Sequence, residues 1–174
     1  MVMKINEQYI IRKRILTIFI SFFMLYGGFR TCAQEMPPRP VAVSFIQNLS
    51  FGAFSLSLSG GTVTVNASGM RYETGGVILV NMGFQYFPAI FGLQGNPGTI
   101  VHLLNGPDAT LTGSNGGSMT LHLGDAYPGD PIILNAAYPG IMQIRVGGTL
   151  LVGSLQANPP GYYAGTFSLM FIQE

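Results

Sequence analysis

Beyond residue 40, apolar side chains return at every second position. Phe54, Leu56 and Leu58 alternate with Ser55, Ser57 and Ser59, and Val63 and Val65 with Thr62 and Thr64. Met119, Leu121 and Leu123 alternate with Thr120 and His122, and Met142, Ile144 and Val146 with Gln143 and Arg145. Phe167, Leu169 and Phe171 alternate with Ser168 and Met170. A period of two places one face of a strand on a core and the other toward water. Turn formers separate the runs: Gly60-Gly61, Gly75-Gly76, Asn96-Pro97-Gly98, Asn105-Gly106-Pro107-Asp108 and Asn115-Gly116-Gly117. Gly147-Gly148, between two apolar runs, predicts a two-residue hairpin, since glycine accepts positive φ. No ten-residue stretch joins helical periodicity to helix formers. The expectation is an all-β domain, built as two packed sheets or a barrel.

The first 33 residues follow another pattern. Arg12, Lys13 and Arg14 precede an apolar run from Ile15 to Phe29, and Thr31-Cys32-Ala33 leads into polar, Pro-broken sequence. A basic start, a short apolar middle and small residues before a cut predict a helical signal peptide over residues 1–33, cleaved after Ala33. The run is shorter than the roughly 20 apolar residues of a spanning helix, so no membrane span is expected once the signal is gone. Acylation of Cys32 is the alternative, although Phe29-Arg30-Thr31 departs from the small or aliphatic residues usual before a lipidated Cys. Residues 34–40, with Pro37, Pro38 and Pro40, predict an extended lead-in, and residues 41–174 a single domain.

Processing changes the charge. Lys4, Arg12, Lys13, Arg14 and Arg30 leave with the signal, so Arg39, Arg71 and Arg145 are the only basic residues left. Glu35, Glu73, Asp108, Asp125, Asp130 and Glu174 oppose them, which makes the mature chain acidic where the whole chain is +1. Three scattered Arg give no footprint for nucleic acid or anionic lipid. So few charges on an apolar chain point to a surface partly covered by partners. Cys32 is the only cysteine, so packing must hold the mature domain without a disulfide.

Candidate chemistry is sparse. His102 and His122 lie in strand-like runs and read as hydrogen-bonded strand histidines; a shared zinc would require adjacent strands. Asp125 and Asp130 flank Ala126-Tyr127-Pro128-Gly129, which reads as a solvated turn; calcium would need further oxygens. No nucleophile elbow surrounds any Ser, and without Lys there is no Walker-type phosphate loop. The expectation is no enzyme, no cofactor and no metal. Tyr127, Tyr138 and Tyr162 sit beside Pro or Gly at loop tips, where they pack onto the domain's ends or stack on a sugar or partner.

Several ordered segments resemble a bacterial family of exported domains with no assigned activity, domain of unknown function 4402. They are Leu49-Ser50-Phe51-Gly52, Gly61-Thr62-Val63-Thr64-Val65, Gly75-Gly76-Val77, Pro88-Ala89-Ile90-Phe91-Gly92-Leu93-Gln94-Gly95, Gly147-Gly148-Thr149-Leu150 and Gly161-Tyr162-Tyr163-Ala164-Gly165-Thr166-Phe167. The Ala33-Gln34 junction resembles those of Bacteroidetes exports. The family in turn resembles spore-coat-U and archaic pilin domains. That implies an immunoglobulin-like two-sheet β-sandwich with a structural or adhesive role at the cell surface. The ending Phe171-Ile172-Gln173-Glu174 departs from the aromatic finish of a pilin.

The resulting expectation is a protein exported by the secretory pathway to the surface, the exterior or the periplasm. Its expected partners are itself or other surface proteins. Val41, Val43 and Phe45 form a candidate self-assembly strand, donated to a neighbour's sheet or serving as the first strand of its own. The alternative is a carbohydrate- or protein-binding module using Tyr127, Tyr138 and Tyr162.

Overall fold

A computed structural model describes residues 39–174, and these contain strands and no helix. The expected signal peptide over residues 1–33, with Cys32, lies outside the described residues. The strands are β1 (Ala42–Gln47), β2 (Ser50–Phe51), β3 (Phe54–Val65), β4 (Arg71–Leu79), β5 (Tyr86–Phe87), β6 (Ala89–Gln94) and β7 (Ile100–Asn105). They continue with β8 (Ala109–Gly113), β9 (Ser118–Tyr127), β10 (Ile132–Ile133), β11 (Met142–Val152), β12 (Tyr163–Ala164) and β13 (Leu169–Gln173). Every pairing between them is antiparallel.

The spine of the large sheet is β11. One of its edges carries β9. The other carries β6 along Met142–Val146, then β3 along Gly148–Val152. The alternation read from the sequence runs the full length of β11: Ile144, Val146, Leu150 and Val152 are buried, while Gln143 and Arg145 are exposed. Gly147 therefore makes no hairpin. It marks the handover between the two neighbours, where a Cβ would stand 2.6 Å from the Val65 carbonyl oxygen and 2.8 Å from the Ala67 nitrogen. Gly60-Gly61 and Gly75-Gly76 also fall inside strands, not between them. Gly61 pairs with Gly75 across a register slip in the β3–β4 hairpin, and a Cβ on Gly61 would overlap the Thr74 carbonyl. Glycine here buys close backbone approach and curl, which a turn reading misses. The Asn115-Gly116-Gly117 break is a real turn between β8 and β9, with φ of 89° and 77° at the two glycines.

A second, smaller sheet has the order β10-β7-β13, and β2 pairs β5. One core cluster gathers Val63, Val65, Leu121, Leu123, Leu150 and Val152 from β3, β9 and β11. Another joins Leu93, Ile144 and Val146 of the large sheet to Val101 and Ile132 of the small one. Leu49, Phe167 and Leu169 pack against both. Each fully buried aliphatic side chain contributes about 1.5–3 kcal/mol, which is how a chain this poor in charge holds together. Asn158 is the one buried polar residue among those described; its amide donates to the Ser118 carbonyl at 2.7 Å and its carbonyl accepts from the Gly153 N–H.

Candidate functional site

The most unusual geometry surrounds β1. Among the described residues this strand ends the large sheet and pairs only with β6, so residues 42–47 are hydrogen-bonded within their own chain. Val43 stands across from Leu93 and Phe45 across from Phe91. Residues directly opposed in a ladder point to the same face. Leu93 is a core residue at 1% exposure, so Val43 and Phe45 point to the core side as well. Yet they are 49% and 60% exposed. Among the described residues the small sheet ends at β13 and leaves them uncovered.

Aromatic contacts span that gap. The Phe45 and Phe91 rings meet edge-on at 6.0 Å, and Phe91 meets Phe171 of β13 at 5.8 Å. The Val41 N–H donates to the Gln173 side-chain oxygen at 2.8 Å, tying the approach to β1 to the end of β13. The result is an apolar seam whose walls are the edge strands of the two sheets. Neither β1 nor β13 carries an ionisable side chain. The sequence pointed to Val41, Val43 and Phe45; the structure adds β13 as the opposing wall. Only a long-range pairing reveals that wall.

The three loop tyrosines are exposed but not gathered. Tyr127 ends β9 across from Arg145. Tyr138 lies under the Arg39 guanidinium, 4.8 Å from its ring centre, in the loop before β11. Tyr162 is held near the β8–β9 turn, where its N–H donates to the Ser114 hydroxyl at 3.1 Å. It is thus close to the opposite end of β9 from Tyr127, about 30 Å away along a strand of this length. Tyr162 meets Phe84 edge-on at 6.1 Å, a pairing not visible in the sequence. Nearby, Arg71 donates to the Phe51 and Ala53 carbonyls at 2.9 and 3.1 Å and lies 4.3 Å over the Tyr86 ring.

The histidines sit on different sheets, His102 on β7 and His122 on β9, and these strands are not neighbours. His102 bridges Asp130 at 3.0 Å through Nδ1 and Glu174 at 3.2 Å through Nε2. Its pKa is raised, first by the hydrogen bond to Asp130 and then by that to Glu174. Asp130 is lowered by the His102 contact and by the Leu103 N–H, which donates to it at 3.0 Å. His122 Nδ1 lies 2.7 Å from Asp108. Asp125 and Asp130 line an open hollow of about 390 Å³ with Asn105, but the Asp130 carboxylate is already engaged by His102. Among the described residues no group of three or more His, Cys, Asp or Glu is placed to hold a metal ion.

Comparison with known proteins gives one match. A family model described as "Domain of unknown function (DUF4402)" matches residues 41–171. No curated protein matches, and no solved structure matches.

Proposed function

We propose that this chain, which belongs to the DUF4402 family of domains of unknown function, is an exported, non-catalytic structural or adhesive protein that works by associating with copies of itself or with other surface proteins. In this reading the signal peptide sends it through the secretory pathway to the cell surface, the exterior or the periplasm. The two curled sheets form an immunoglobulin-like sandwich of pilin-like type. One observation carries the reading: Val43 and Phe45 face the core side of β1 and are nonetheless half-exposed beside the edge of β13 that no strand pairs among the described residues. An apolar strip at a sheet edge, free of charge, is a template for an added strand. Val41, Val43 and Phe45 then act as a wall of the seam while β1 stays on β6. Donation of β1 to a neighbour would first have to break the β1–β6 ladder.

The test is fractionation of native cells followed by sizing of the recovered protein. Multimers in the envelope or outside the cell are expected. A monomer free in the cytoplasm would overturn the proposal.

A glycan-binding module is the second reading, favoured by the exposed Phe84–Tyr162 pair. Aromatic faces of this kind stack on sugar rings. Glycan binding that is lost in Tyr162→Ala, with sizing unchanged, would select it.

A further inference from the structure

We propose that His102 is a proton-operated latch on the end of β13: with both ring nitrogens protonated it holds Asp130 and Glu174 at once, and with one proton lost it keeps Asp130 and releases Glu174. This goes beyond the association reading above and stands without it.

Three segments meet at this ring. His102 stands on β7, Asp130 comes from the loop before β10, and Glu174 follows β13. Each ring nitrogen faces its own carboxylate. Nδ1 lies 3.0 Å from Asp130 Oδ2, and Nε2 lies 3.2 Å from Glu174 Oε1. An ionised carboxylate only accepts, so each contact needs an N–H on the ring side. An imidazolium has two such donors and a neutral imidazole has one. The two contacts therefore coexist only on the charged ring. Among the described residues Asp130 and Glu174 are the charged groups that reach it. Strands β10 and β13 carry no ionisable side chain, β7 carries no other, and Asp125 lines the same hollow as Asp130.

The order of release follows from what else each carboxylate holds. Asp130 also accepts the Leu103 N–H at 3.0 Å, so it stays on the β7 backbone whatever the ring does. The Glu174 carboxylate accepts from no other donor among the described residues and is 62% exposed, so water replaces the ring readily. The one proton of the neutral ring stays at Nδ1 with Asp130. Bare Nε2 then turns a lone pair on Glu174, and two facing acceptors repel. The His102 pKa carries the same asymmetry, since Asp130 raises it more than Glu174 does.

Release matters because of what lies beside it. The Glu174 N–H donates to the Ile100 carbonyl at 3.1 Å, extending the β7–β13 ladder past Gln173. The Gln173 side chain accepts from the Val41 N–H, the bond that ties the approach to β1 to β13. Without the Glu174 anchor this end of β13 frays, and the seam loosens beside Val41. The end is firm below the His102 titration and loose above it. His122 is the contrast within the same chain: Asp108 faces its Nδ1 at 2.7 Å, and no second carboxylate reaches its Nε2 among the described residues.

The test is NMR on the full chain across the His102 titration. Above it the ring-nitrogen shifts should report the Nδ1–H tautomer, the reverse of the preference of a free imidazole. Protection of the Glu174 and Val41 amides, corrected for intrinsic exchange, should fall across the same titration, while that of the Leu103 amide holds. An Nε2–H tautomer would overturn the order of release. Undiminished protection at Glu174 and Val41 would overturn the latch.

Glu174→Gln separates the latch from general fraying at high pH. A carboxamide accepts from Nε2–H when the ring is charged and donates to bare Nε2 when it is neutral. The end of β13 should then stay fastened on both sides of the titration, and the loss of amide protection at position 174 should disappear. A loss as large as the parent's would contradict the proposal, because the fraying would not depend on the carboxylate at that position.

Discussion

Phe45 lies across the β1–β6 ladder from Phe91 and meets it edge-on at 6.0 Å, yet Phe45 remains mostly in water. The contact is therefore only part of what the side chain offers. Phe45→Ala should cost the single chain about 1–2 kcal/mol, from partial burial and one aromatic pair. Urea unfolding at low concentration measures that cost. If the seam takes a second copy, sizing at high concentration should show a larger loss, since the same ring is then covered. A stability loss with no change in association would detach Phe45 from the interface.

Gly147 and Gly129 form a paired test of how the large sheet is built. A Cβ at Gly147 would press on backbone atoms of Val65 and Ala67, whereas one at Gly129 would meet nothing within 4 Å. Gly147→Ala should destabilise by about 1–3 kcal/mol, the range for overpacking against atoms that cannot give way. Gly129→Ala should be close to neutral. Thermal melts of the two variants should differ clearly; equal melts would mean that β11 does not run unbroken past β3.

Asn158 fastens Gly153, beyond the end of β11, to Ser118 at the start of β9. Asn158→Ala leaves both backbone groups without their buried partner and should cost about 2–3 kcal/mol. Asn158→Asp should also destabilise, because a carboxylate cannot donate to the Ser118 carbonyl. Urea midpoints for both variants check this.

The His102 cluster gives stability a pH dependence of known sign. His102 is raised above its ordinary value of 6.5, so its contribution is complete below that value and fades as pH climbs through the raised pKa. Asp130 is lowered, so its contribution is present above the ordinary carboxylate range and fades as pH falls through the lowered pKa. Thermal midpoints should therefore decline on the alkaline side of the His102 titration, and His102→Gln should flatten that decline. Asp130→Asn should lower the His102 pKa, read by proton NMR, more than Glu174→Gln does. The reverse order would show that Glu174 is the stronger partner.

Much of the fold is written in the alternation. Met119, Leu121 and Leu123, and Ile144 and Val146, are buried as the period of two requires. Glycine was the misleading signal. The same residue serves a turn at Gly116-Gly117 and a close strand contact at Gly61 and Gly147, and nothing local separates the two uses. The candidate site was half legible. Alternation marks Val43 and Phe45 as one face of a strand, but only the ending of the small sheet at β13 leaves that face bare. The partners of His102 lie 28 and 72 residues away in the chain, a proximity that follows from strand order alone. The same holds for the separation of Tyr127 from Tyr162.

The most direct measurement is residue-resolved amide exchange along β13 as a function of protein concentration. At low concentration the Met170 and Ile172 amides, turned toward β7 like the Glu174 amide that donates to Ile100, should be protected, and those of Leu169, Phe171 and Gln173 should exchange freely. As concentration rises, or once an envelope extract of native cells is added, protection should spread to Leu169, Phe171 and Gln173. Free exchange at those amides under both conditions would contradict the claim that this edge takes an added strand from a copy or from another surface protein.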